Sequence, residues 1–259
     1  MAQRSEFLEK AIEAAKAGEE VIRHYYEQNV EVEFKEDRTP VTVADVETEK
    51  AIHEVLASAF PDHGFFGEET GKSNPDAEYT WLVDPIDGTK GFVRQYPVFS
   101  TQIALMKGDE LIVGVSNAPV FNGGELAYAE KGGGAFMNDA PIRVSDITEM
   151  DQVALSTGNI ATLAGTKEWQ GLGRLCQDVN RTRGYGDFLH YHLLASGKID
   201  LIVESDVNIL DIAALAVIVR EAGGVFTDLH GGELGLDTTD VLAACNRTVY
   251  DQARSYLFG

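Results

Sequence analysis

The chain has 259 residues, of which 44% are hydrophobic and 24% are charged. This length is enough for one large α/β domain or two modest ones with a substantial core. There are 42 acidic residues against 21 lysines and arginines, so the formal net charge is -21. Such a surface repels the phosphate backbone of nucleic acids, and we expect no nucleic-acid partner. It also concentrates divalent cations, although a solvated acidic surface that aids solubility is the simpler explanation.

The cysteines and the apolar runs bear on the cellular compartment. Cys176 and Cys245 lie far apart without Cys-x-x-Cys spacing, so zinc and redox motifs are not expected and a reducing cytoplasm fits best. The first residues carry acids from Glu6 onward and lack the apolar core of a signal peptide. No apolar run approaches the ~18 residues of a membrane span. We therefore expect a cytoplasmic protein without membrane association.

Hydrophobic spacing predicts two helices and then several strands in the N-terminal part. Apolar residues recur at intervals of three and four from Leu8 to Tyr25, which predicts a helix, and a short strand and a loop ending at Pro40 follow. A second helix is expected near Asp45, ending before Pro61. Strands are expected in "GFFGEET" and "YTWLVD", and "STQIALMKGDELIVGVSNAP" predicts a hairpin. "GELAYAEKGGGAFMNDAPIRVS" continues as short strands, and this order indicates α+β layering.

Near residue 150 the pattern changes to alternating helices and strands. "QVALSTG", "KIDLIVES" and "GVFTDL" predict strands. Helices are expected from Trp169 to Asp178, from Asp187 to Ser196, and from Asp211 across the apolar segment "DIAALAVIVREAGG", which a glycine pair closes. We therefore expect an N-terminal α+β part at residues 1–150 and a C-terminal α/β part at 151–259, packed as one unit.

The segment "WLVDPIDGTKGF" ends a predicted strand with Asp84 and Asp87. Pro85 between them restricts the backbone, and Gly88 lets the chain approach a ligand closely. Two carboxylates this close usually need a cation between them, and hard oxygen ligands on a rigid turn suit Mg²⁺. The amides near Gly88 are placed to hold a phosphate. The alternative is an ordinary surface turn, because Asp-Gly is common turn chemistry.

Further acidic positions have an ordinary explanation when taken singly. Glu68 and Glu69 follow a strand end, where a solvated loop is the simple interpretation. Asp45 and Asp211 each stand near a helix start, where aspartate is a preferred N-cap. Asp211 nevertheless lies between an apolar strand and an apolar helix, where an exposed cap is less expected. The residues alone leave both interpretations open.

Taken together, these segments resemble the inositol monophosphatase family of Mg²⁺-dependent, lithium-sensitive phosphatases. "WLVDPIDGTKGF" matches the family's DPIDGT signature, Glu68-Glu69 matches its GEE motif, and "LDIAALAVIVREAGG" matches its WDxAA…AGG segment. "FKEDRTPVTVADVETEKAI" matches its N-terminal region. The motifs keep their order over nearly the whole chain, with one departure, because Leu210 stands where the family usually has an aromatic residue. The resemblance implies a layered αβαβα fold.

The resemblance also implies a set of metal ligands. Glu68, Asp84 and the carbonyl of Ile86 would bind a first metal, and Asp84, Asp87 and Asp211 would bind a second. The cofactor would be Mg²⁺, in two or three sites, with Mn²⁺ as the alternative ion. Asp87 and Asp211 would also contact the substrate.

Catalytic and phosphate-binding roles follow from the same resemblance. Glu68, and Thr89 paired with Asp45, would orient and deprotonate the water that attacks phosphorus, without a phosphoenzyme. The amides of Gly88 and Thr89 would hold the phosphate. Lys35 matches a family lysine near a mobile loop, with a solvated lysine as the alternative. Family members are commonly homodimers, so the resemblance implies a homodimer that acts on a small phosphate monoester.

The substrate is predicted from "RGYGDFLHYHLLASGKIDLIVES". Inositol phosphatases usually carry Ser or Thr where this chain has Asp187, and "GD…LLASG…DLIVES" is more similar to the histidinol-phosphate phosphatase branch. Acids near the leaving group would favour its ammonium and imidazole, so Asp187 and Glu204 are the expected recognition residues. A helix N-cap is the alternative for Asp187. His190 and His192 are two apart and face different ways on a helix, and we interpret both as packing or surface residues.

Several functions therefore compete. The first is a histidinol-phosphate phosphatase of histidine biosynthesis, and the second is an inositol-1-monophosphatase or a broader sugar-phosphate phosphatase. The acidic pocket segment disfavours a 3′-phosphonucleotide phosphatase. A non-enzymatic interaction protein on this fold would carry damaged metal ligands, and none is damaged here.

Overall fold

The computed structural model of the protein describes residues 4–26, 32–34 and 40–259. Lys35 lies outside these described residues, so its predicted role is not addressed by the structure. The helices in the described ranges are α1 (Glu6–Tyr26), α2 (Val43–Ala59), α3 (Thr89–Val93), α4 (Glu168–Asp178), α5 (Asp187–Ala195), α6 (Ile209–Glu221) and α7 (Arg247–Phe258). None of them combines the length and the apolar composition needed to cross a lipid bilayer.

Most of the N-terminal strands form one eight-stranded sheet. A separate antiparallel pair consists of β1 (Val32–Phe34) and β2 (Pro40–Thr42). The strands of the large sheet are β3 (Gly64–Gly67), β4 (Gly71–Ser73), β5 (Tyr79–Asp87), β6 (Ser100–Lys107), β7 (Glu110–Ala118), β8 (Glu125–Glu130), β9 (Gly134–Met137) and β10 (Ala140–Ile142). Their order is β10-β9-β8-β7-β6-β5-β3-β4. Among these described strands, only β3 and β5 pair in parallel, so their carboxyl ends lie at the same edge.

The C-terminal strands form a second, five-stranded sheet. Its strands are β11 (Ala154–Gly158), β12 (Arg181–Arg183), β13 (Leu201–Ser205), β14 (Val225–Thr227) and β15 (Asp240–Ala244). Their order is β12-β11-β13-β15-β14. Strand β11 runs parallel to both β12 and β13, which again brings the carboxyl ends of neighbouring strands together.

Helices and sheets alternate in layers, which confirms the αβαβα fold. Helices α1 and α2 contact one side of the large sheet, and α6 contacts strands β5 to β9 of that sheet. Helix α5 packs on α6 and β13, while α4 and α7 pack on each other and α7 contacts β15. Helix α6 is buried at every position from Ile212 to Val219, as expected of a helix that is apolar all round. One hydrophobic core cluster contains residues of both sheets and of α6.

The predicted elements agree with the structure in kind, and two boundaries need correction. The hairpin of β6 and β7 and the strands on either side of it are confirmed. Pro40 does not end an element but begins β2, a strand position that tolerates a missing N–H. Helix α6 begins at Ile209, and its N-cap is Asn208 rather than Asp211. The division of the chain near residue 150 stays a prediction.

Candidate metal and phosphate site

The site begins where two parallel strands of the large sheet end. Gly67 is the last residue of β3, so Glu68 follows it directly, and Asp84 lies near the end of the neighbouring strand β5. The carboxyl ends of parallel strands meet at one edge of a sheet, which brings these two acids together. Asp84 is 2% exposed, whereas Glu68 is exposed.

An irregularity in β5 turns Asp87 toward Asp84. In a regular strand, residues three apart point to opposite faces. Asp84 pairs with Gln102 and Asp87 pairs with Ser100, so β5 contains one more residue than β6 between these pairs. Such a bulge bends a strand and redirects its side chains. Thr101 Oγ1 donates to the carbonyl of Pro85 at 2.8 Å and holds the bulged segment on β6.

Asp211 joins the two strand acids from the first turn of α6. Carboxylate oxygens of Asp84, Asp87 and Asp211 all lie within 4.8 Å of one another. Asp211 is the third helical residue, and both of its oxygens accept hydrogen bonds from Asn208, at 2.8 Å from the backbone N–H and 2.7 Å from the side chain. This capping box fixes the carboxylate. Leu210 is buried, and Asp211 still reaches the cluster.

Burial and mutual repulsion raise the pKa of all three carboxyls. Burial, and then the charges of Glu68, Asp87 and Asp211, raise the pKa of Asp84 well above its usual value. The pKa of Asp87 is also raised well above its usual range by burial, followed by the charges of Asp187 and other acids. Burial raises the pKa of Asp211 to about 7. The cluster therefore holds protons tightly unless another cation replaces them.

The residues present fit a divalent metal ion. Three carboxylates on fixed backbone converge on one point, and the donor set consists of hard oxygen atoms of the kind that Mg²⁺ and Mn²⁺ prefer. The raised pKa values reflect burial of these carboxylates and repulsion among them, and a metal ion that displaces the protons would relieve that repulsion. Ile86 lies between the two strand acids in the sequence, and its carbonyl accepts a hydrogen bond from Thr89 Oγ1 at 3.1 Å.

Thr89 connects this cluster to α2. Its hydroxyl lies 3.4 Å from Oδ1 of Asp45, a buried acid in the first turn of α2. Gly88 precedes it with a φ of 86°, a left-handed conformation that glycine adopts without strain. A Cβ at Gly88 would lie 3.0 Å from the carbonyl oxygen of Val98, so the close approach of two chain segments also requires glycine.

Glu49 was not identified from the sequence, although it organises the loop that carries Glu68. Its buried carboxylate accepts the backbone N–H groups of Glu69 and Thr70, both at 2.8 Å. A Cβ at Gly67 would lie 2.5 Å from this carboxylate. The available signal is the four-residue spacing from Asp45, which places both acids on one face of α2.

Two further acids from the C-terminal half lie within electrostatic range. Asp187 and Glu204 both raise the pKa of Asp87, after burial. Asp187 is the first residue of α5, with a φ of 46°, and the N-cap position is occupied by Gly186, so the N-cap alternative for Asp187 is wrong. Burial and then the charge of Glu204 raise the pKa of Asp187, while His190 and Lys90 lower it. Glu204 is 1% exposed.

The two histidines of α5 face different ways, as expected, but neither lies at the surface. His190 is fully buried, with Nε2 at 3.0 Å from Oε2 of Glu204. His192 is also buried and contacts Glu125 and Ser116 of the large sheet, at 3.2 Å and 2.9 Å. Burial lowers the pKa of His192. The interpretation as packing residues fits both, and the surface interpretation is wrong.

A model of the inositol monophosphatase family matches residues 3–256. The chain belongs to the inositol monophosphatase family. It is therefore a phosphatase of a metal-dependent family, generally with Mg²⁺, that acts on small phosphate esters.

Relatives of this inositol monophosphatase family protein carry more than one name. A histidinol-phosphatase of Chlorobaculum parvum is 35% identical and covers 92% of each chain. A histidinol-phosphatase of Mycobacterium tuberculosis is 38% identical over 78% of this chain and 79% of its own. An inositol-1-monophosphatase of Mesorhizobium japonicum is 34% identical over 93% of this chain and 92% of its own. The crystal structure of the extragenic suppressor protein suhB from Bartonella henselae superposes with a TM-score of 0.89 at 30% identity, over 98% and 99%.

Proposed function

We propose that the protein is a metal-dependent histidinol-phosphate phosphatase, which converts L-histidinol phosphate and water to L-histidinol and phosphate. The observation that supports this substrate is the pair of acids beyond the metal cluster. Asp187 and Glu204 come from other elements than the metal ligands, yet their charges act on Asp87. Relatives named histidinol-phosphatase, at 35% and 38% identity, support the same choice.

The leaving group explains why such acids would be useful. Histidinol carries an ammonium and an imidazole, whereas inositol offers only hydroxyl groups. A cation in a partly buried site gains more from a carboxylate than it would in water. A neutral ligand would leave the negative charge of these acids uncompensated, which disfavours it relative to a cation. Asp187 and Glu204 would therefore select an amino alcohol phosphate over a polyol phosphate.

The proposed metal ligands include the three carboxylates that lie within 4.8 Å of one another. Glu68, Asp84, Asp87, Asp211 and the carbonyl of Ile86 would hold two or three Mg²⁺ ions, with Mn²⁺ as a substitute. When bound, the metal stabilises negative charge on the phosphoryl and leaving-group oxygens and makes water more acidic. Asp84 would contribute to both expected sites, in keeping with the charges of Glu68, Asp87 and Asp211 that act on it.

The remaining residues would place the phosphate and the water. The backbone N–H groups of Gly88 and Thr89 would donate to phosphate oxygens. Asp45 would orient the Thr89 hydroxyl. Asp45, Thr89 and Glu68 would together align a water molecule with phosphorus and accept its proton. As the water oxygen would bond to phosphorus, the ester P–O bond would break, and the leaving alkoxide would take up a proton from a solvent water. Asp87 and Asp211 would contact the substrate at the same edge.

Phosphate release from three esters tests the proposal. Histidinol phosphate, inositol 1-phosphate and 3′-phosphoadenosine 5′-phosphate are compared side by side, with Mg²⁺ and with a chelator. We expect Mg²⁺-dependent release with a strong preference for histidinol phosphate. A preference for inositol 1-phosphate would favour the second candidate, an inositol-1-monophosphatase with the same metal chemistry. Release without any added metal would contradict the metal assignment.

The Asp187→Asn variant separates the two candidates. Asparagine tolerates a positive φ, so the substitution removes the charge and preserves the helix start. Losing a hydrogen bond to a charged group costs ~1.5–3 kcal/mol, so kcat/KM for histidinol phosphate should fall roughly 10- to 100-fold. We expect the value for inositol 1-phosphate to change by less than about threefold, because a hydroxyl does not need the carboxylate charge.

A matched control is available in another positive-φ aspartate. Asp139 has a φ of 65° and is exposed, in the turn between β9 and β10. The Asp139→Asn variant should leave the ratio of the two kcat/KM values unchanged. Equal losses of both activities in Asp187→Asn would contradict the recognition role.

A further inference from the structure

Two consecutive side chains of α5 hold one oxygen of Glu204. The Tyr191 hydroxyl donates to Oε2 at 2.6 Å, and His190 Nε2 lies 3.0 Å from the same oxygen. All three side chains are buried, with at most 1% of each residue exposed. Consecutive helix residues normally point in different directions. Their convergence on a single carboxylate oxygen is therefore a specific arrangement.

The hydrogen bonds behind His190 are compatible with a ring that donates to Glu204. Ser156 Oγ accepts the backbone N–H of Tyr185 at 3.3 Å and lies 3.2 Å from His190 Nδ1. When Ser156 donates its hydroxyl proton to Nδ1, Nε2 carries the ring proton and donates it to Glu204. Ser156 and His190 then each have hydrogen-bond partners on both sides, and Oε2 of Glu204 accepts two hydrogen bonds.

The second oxygen of Glu204 has little freedom to move. Gly158, at the end of β11, pairs in parallel register with Glu204 on β13. A Cβ at Gly158 would lie 2.2 Å from Oε1, so the carboxylate occupies the space that a side chain would fill. The same Cβ would lie 3.1 Å from the Cα of Gly186, the residue directly before Asp187. Oε1 and the residue before α5 thus both border the same small space beside Gly158.

We propose that His190 and Tyr191 are positioning residues that fix the Glu204 carboxylate beside Asp187 for recognition of a cationic leaving group. This inference rests on the proposed function, because it deepens the account of substrate selection. With Oε2 committed to two protein donors, Oε1 is the oxygen that remains for the ligand and for the electrostatic effect on Asp187. A carboxylate held in one orientation before binding loses less conformational freedom when the ligand arrives.

The alternative is a structural network that only holds α5 on β13. A structural role predicts loss of stability and an equal effect on all esters. A positioning role predicts a higher KM for a cationic ester, with kcat nearly constant, since neither residue touches the phosphate. The distinction therefore depends on the split between KM and kcat and on the comparison of two esters.

The test uses three variants at the two positions. Tyr191→Phe and His190→Leu each remove one donor, and His190→Gln retains an amide that can donate to Glu204. We expect the first two to raise the KM for histidinol phosphate about tenfold, with kcat within about twofold, because each removes a hydrogen bond to a charged acceptor. His190→Gln should recover part of the loss. The inhibition constant of L-histidinol should rise in parallel with KM.

The chain offers matched controls for both side chains. His192 lies on the same helix, is equally buried, and also contacts a glutamate and a serine, but these belong to the large sheet. Tyr250 is buried in α7, with its hydroxyl 2.9 Å from Thr227 Oγ1. His192→Leu and Tyr250→Phe should lower the melting temperature as much as the test variants without changing the ratio of the two kcat/KM values.

The outcomes separate the inference from the proposed function. If the wild-type protein prefers inositol 1-phosphate, the proposed substrate is wrong. The positioning role is wrong as well if, in addition, Tyr191→Phe and His190→Leu change the KM for every ester only as much as the control variants do. With histidinol phosphate preferred, equal changes for both esters, in step with the melting temperature, would overturn the inference alone. A selective rise in KM with rescue by His190→Gln would support it.

Discussion

One extra residue in β5 determines what Asp84 and Asp87 can do together. Without the bulge, the two carboxylates would point to opposite faces of the sheet. With it, they meet each other and Asp211 within 4.8 Å. The proline between them and the hydrogen bond from Thr101 to its carbonyl make the irregularity a fixed feature. The backbone conformation of β5 thus holds the carboxylates close together despite their mutual repulsion.

The Asp84→Asn variant should therefore have opposite effects on activity and on metal-free stability. Loss of a central ligand removes several kcal/mol of charge stabilisation, so we expect kcat to fall by at least ~10³-fold. In a chelator, the same change removes like-charge repulsion, and the melting temperature should rise. Phosphate release and thermal unfolding with and without Mg²⁺ measure both effects. A variant that is less stable than the wild type in chelator would contradict the repulsion argument.

Asp211 makes the stability of the metal-free protein depend on pH. Its pKa is raised from 3.8 to about 7, so between these values the folded state binds more protons than the unfolded state. Stability contributed by this group is therefore full below about pH 4 and falls as the pH rises toward 7. The shift corresponds to about 4 kcal/mol for an isolated group. Saturating Mg²⁺ should remove the decline, because the metal replaces the proton.

The Asp211→Asn variant isolates this contribution. Burial lowers the pKa of His192, so its contribution has the opposite sign in an overlapping pH window. The difference in unfolding free energy between wild type and variant, measured in chelator from pH 4.5 to 8, cancels the histidine. We expect the wild type to lose stability relative to the variant as the pH rises. A constant difference would contradict the assigned pKa.

Residues of the site differ in how far the sequence could predict them. Asp84, Asp87 and Asp211 lie in segments whose pattern is specific, and the structure brings them together. Glu49 and Tyr191 were not identified, because a buried acid on a helix and a tyrosine in an apolar run have no local signature. Their partners are distant in the sequence, so only the tertiary fold shows that they hold functional side chains. The catalytic and binding roles themselves stay predictions until the variants are measured.

At the scale of elements, the contact between α6 and β7 controls where Asp211 lies. A Cβ at Gly114 in β7 would lie 2.3 Å from the backbone carbonyl oxygen of Ala214 in α6. The helix therefore sits directly on a glycine of the sheet. Any side chain there would push α6 outward and move the first turn that carries Asp211.

Gly114→Ala should weaken both folding and metal binding. Overpacking of a close contact typically costs ~1–3 kcal/mol, and we expect a fall of that size in the unfolding free energy from urea titration. The apparent affinity for Mg²⁺ should fall as well. Gly173 in α4 is the control, since it is exposed and has nothing within 4 Å of an added Cβ. Gly173→Ala should raise the unfolding free energy by ~0.5–1 kcal/mol, because alanine has a higher helix propensity than glycine. A neutral Gly114→Ala would contradict the packing argument.

Elements with a distinct apolar run or a clear turn signal were the ones predicted well. The hairpin of β6 and β7, the strand β13 and the apolar α6 follow directly from composition and spacing. Helix starts were less certain, because Asn208 and Asp211 are both good capping residues and only the structure shows that they share one capping box. Pro40 was interpreted as a stop, although the first residue of a strand tolerates proline equally well.

At the scale of the molecule, the net charge of -21 should assist metal binding over a distance. Raising monovalent salt from about 10 mM to about 200 mM shortens the screening length from ~30 Å to less than ~10 Å. We expect the apparent dissociation constant for Mg²⁺ to rise roughly 3- to 10-fold over this range. Titration of Mg²⁺-dependent activity measures it, with sucrose as a control for osmolarity. No change with salt would show that the nearby carboxylates alone set the affinity.

Helix α6 also has a consequence for the order in which the protein can fold as it is synthesised. The large sheet is complete once residue 142 has been made, but the helix that covers one of its faces begins only at Ile209. Until then, the nascent chain carries an uncovered apolar sheet face, which is the kind of surface that aggregates or recruits chaperones. Premature termination between these points would leave that face permanently exposed. The solubility of the N-terminal sheet therefore depends on synthesis continuing through the last turns of α6.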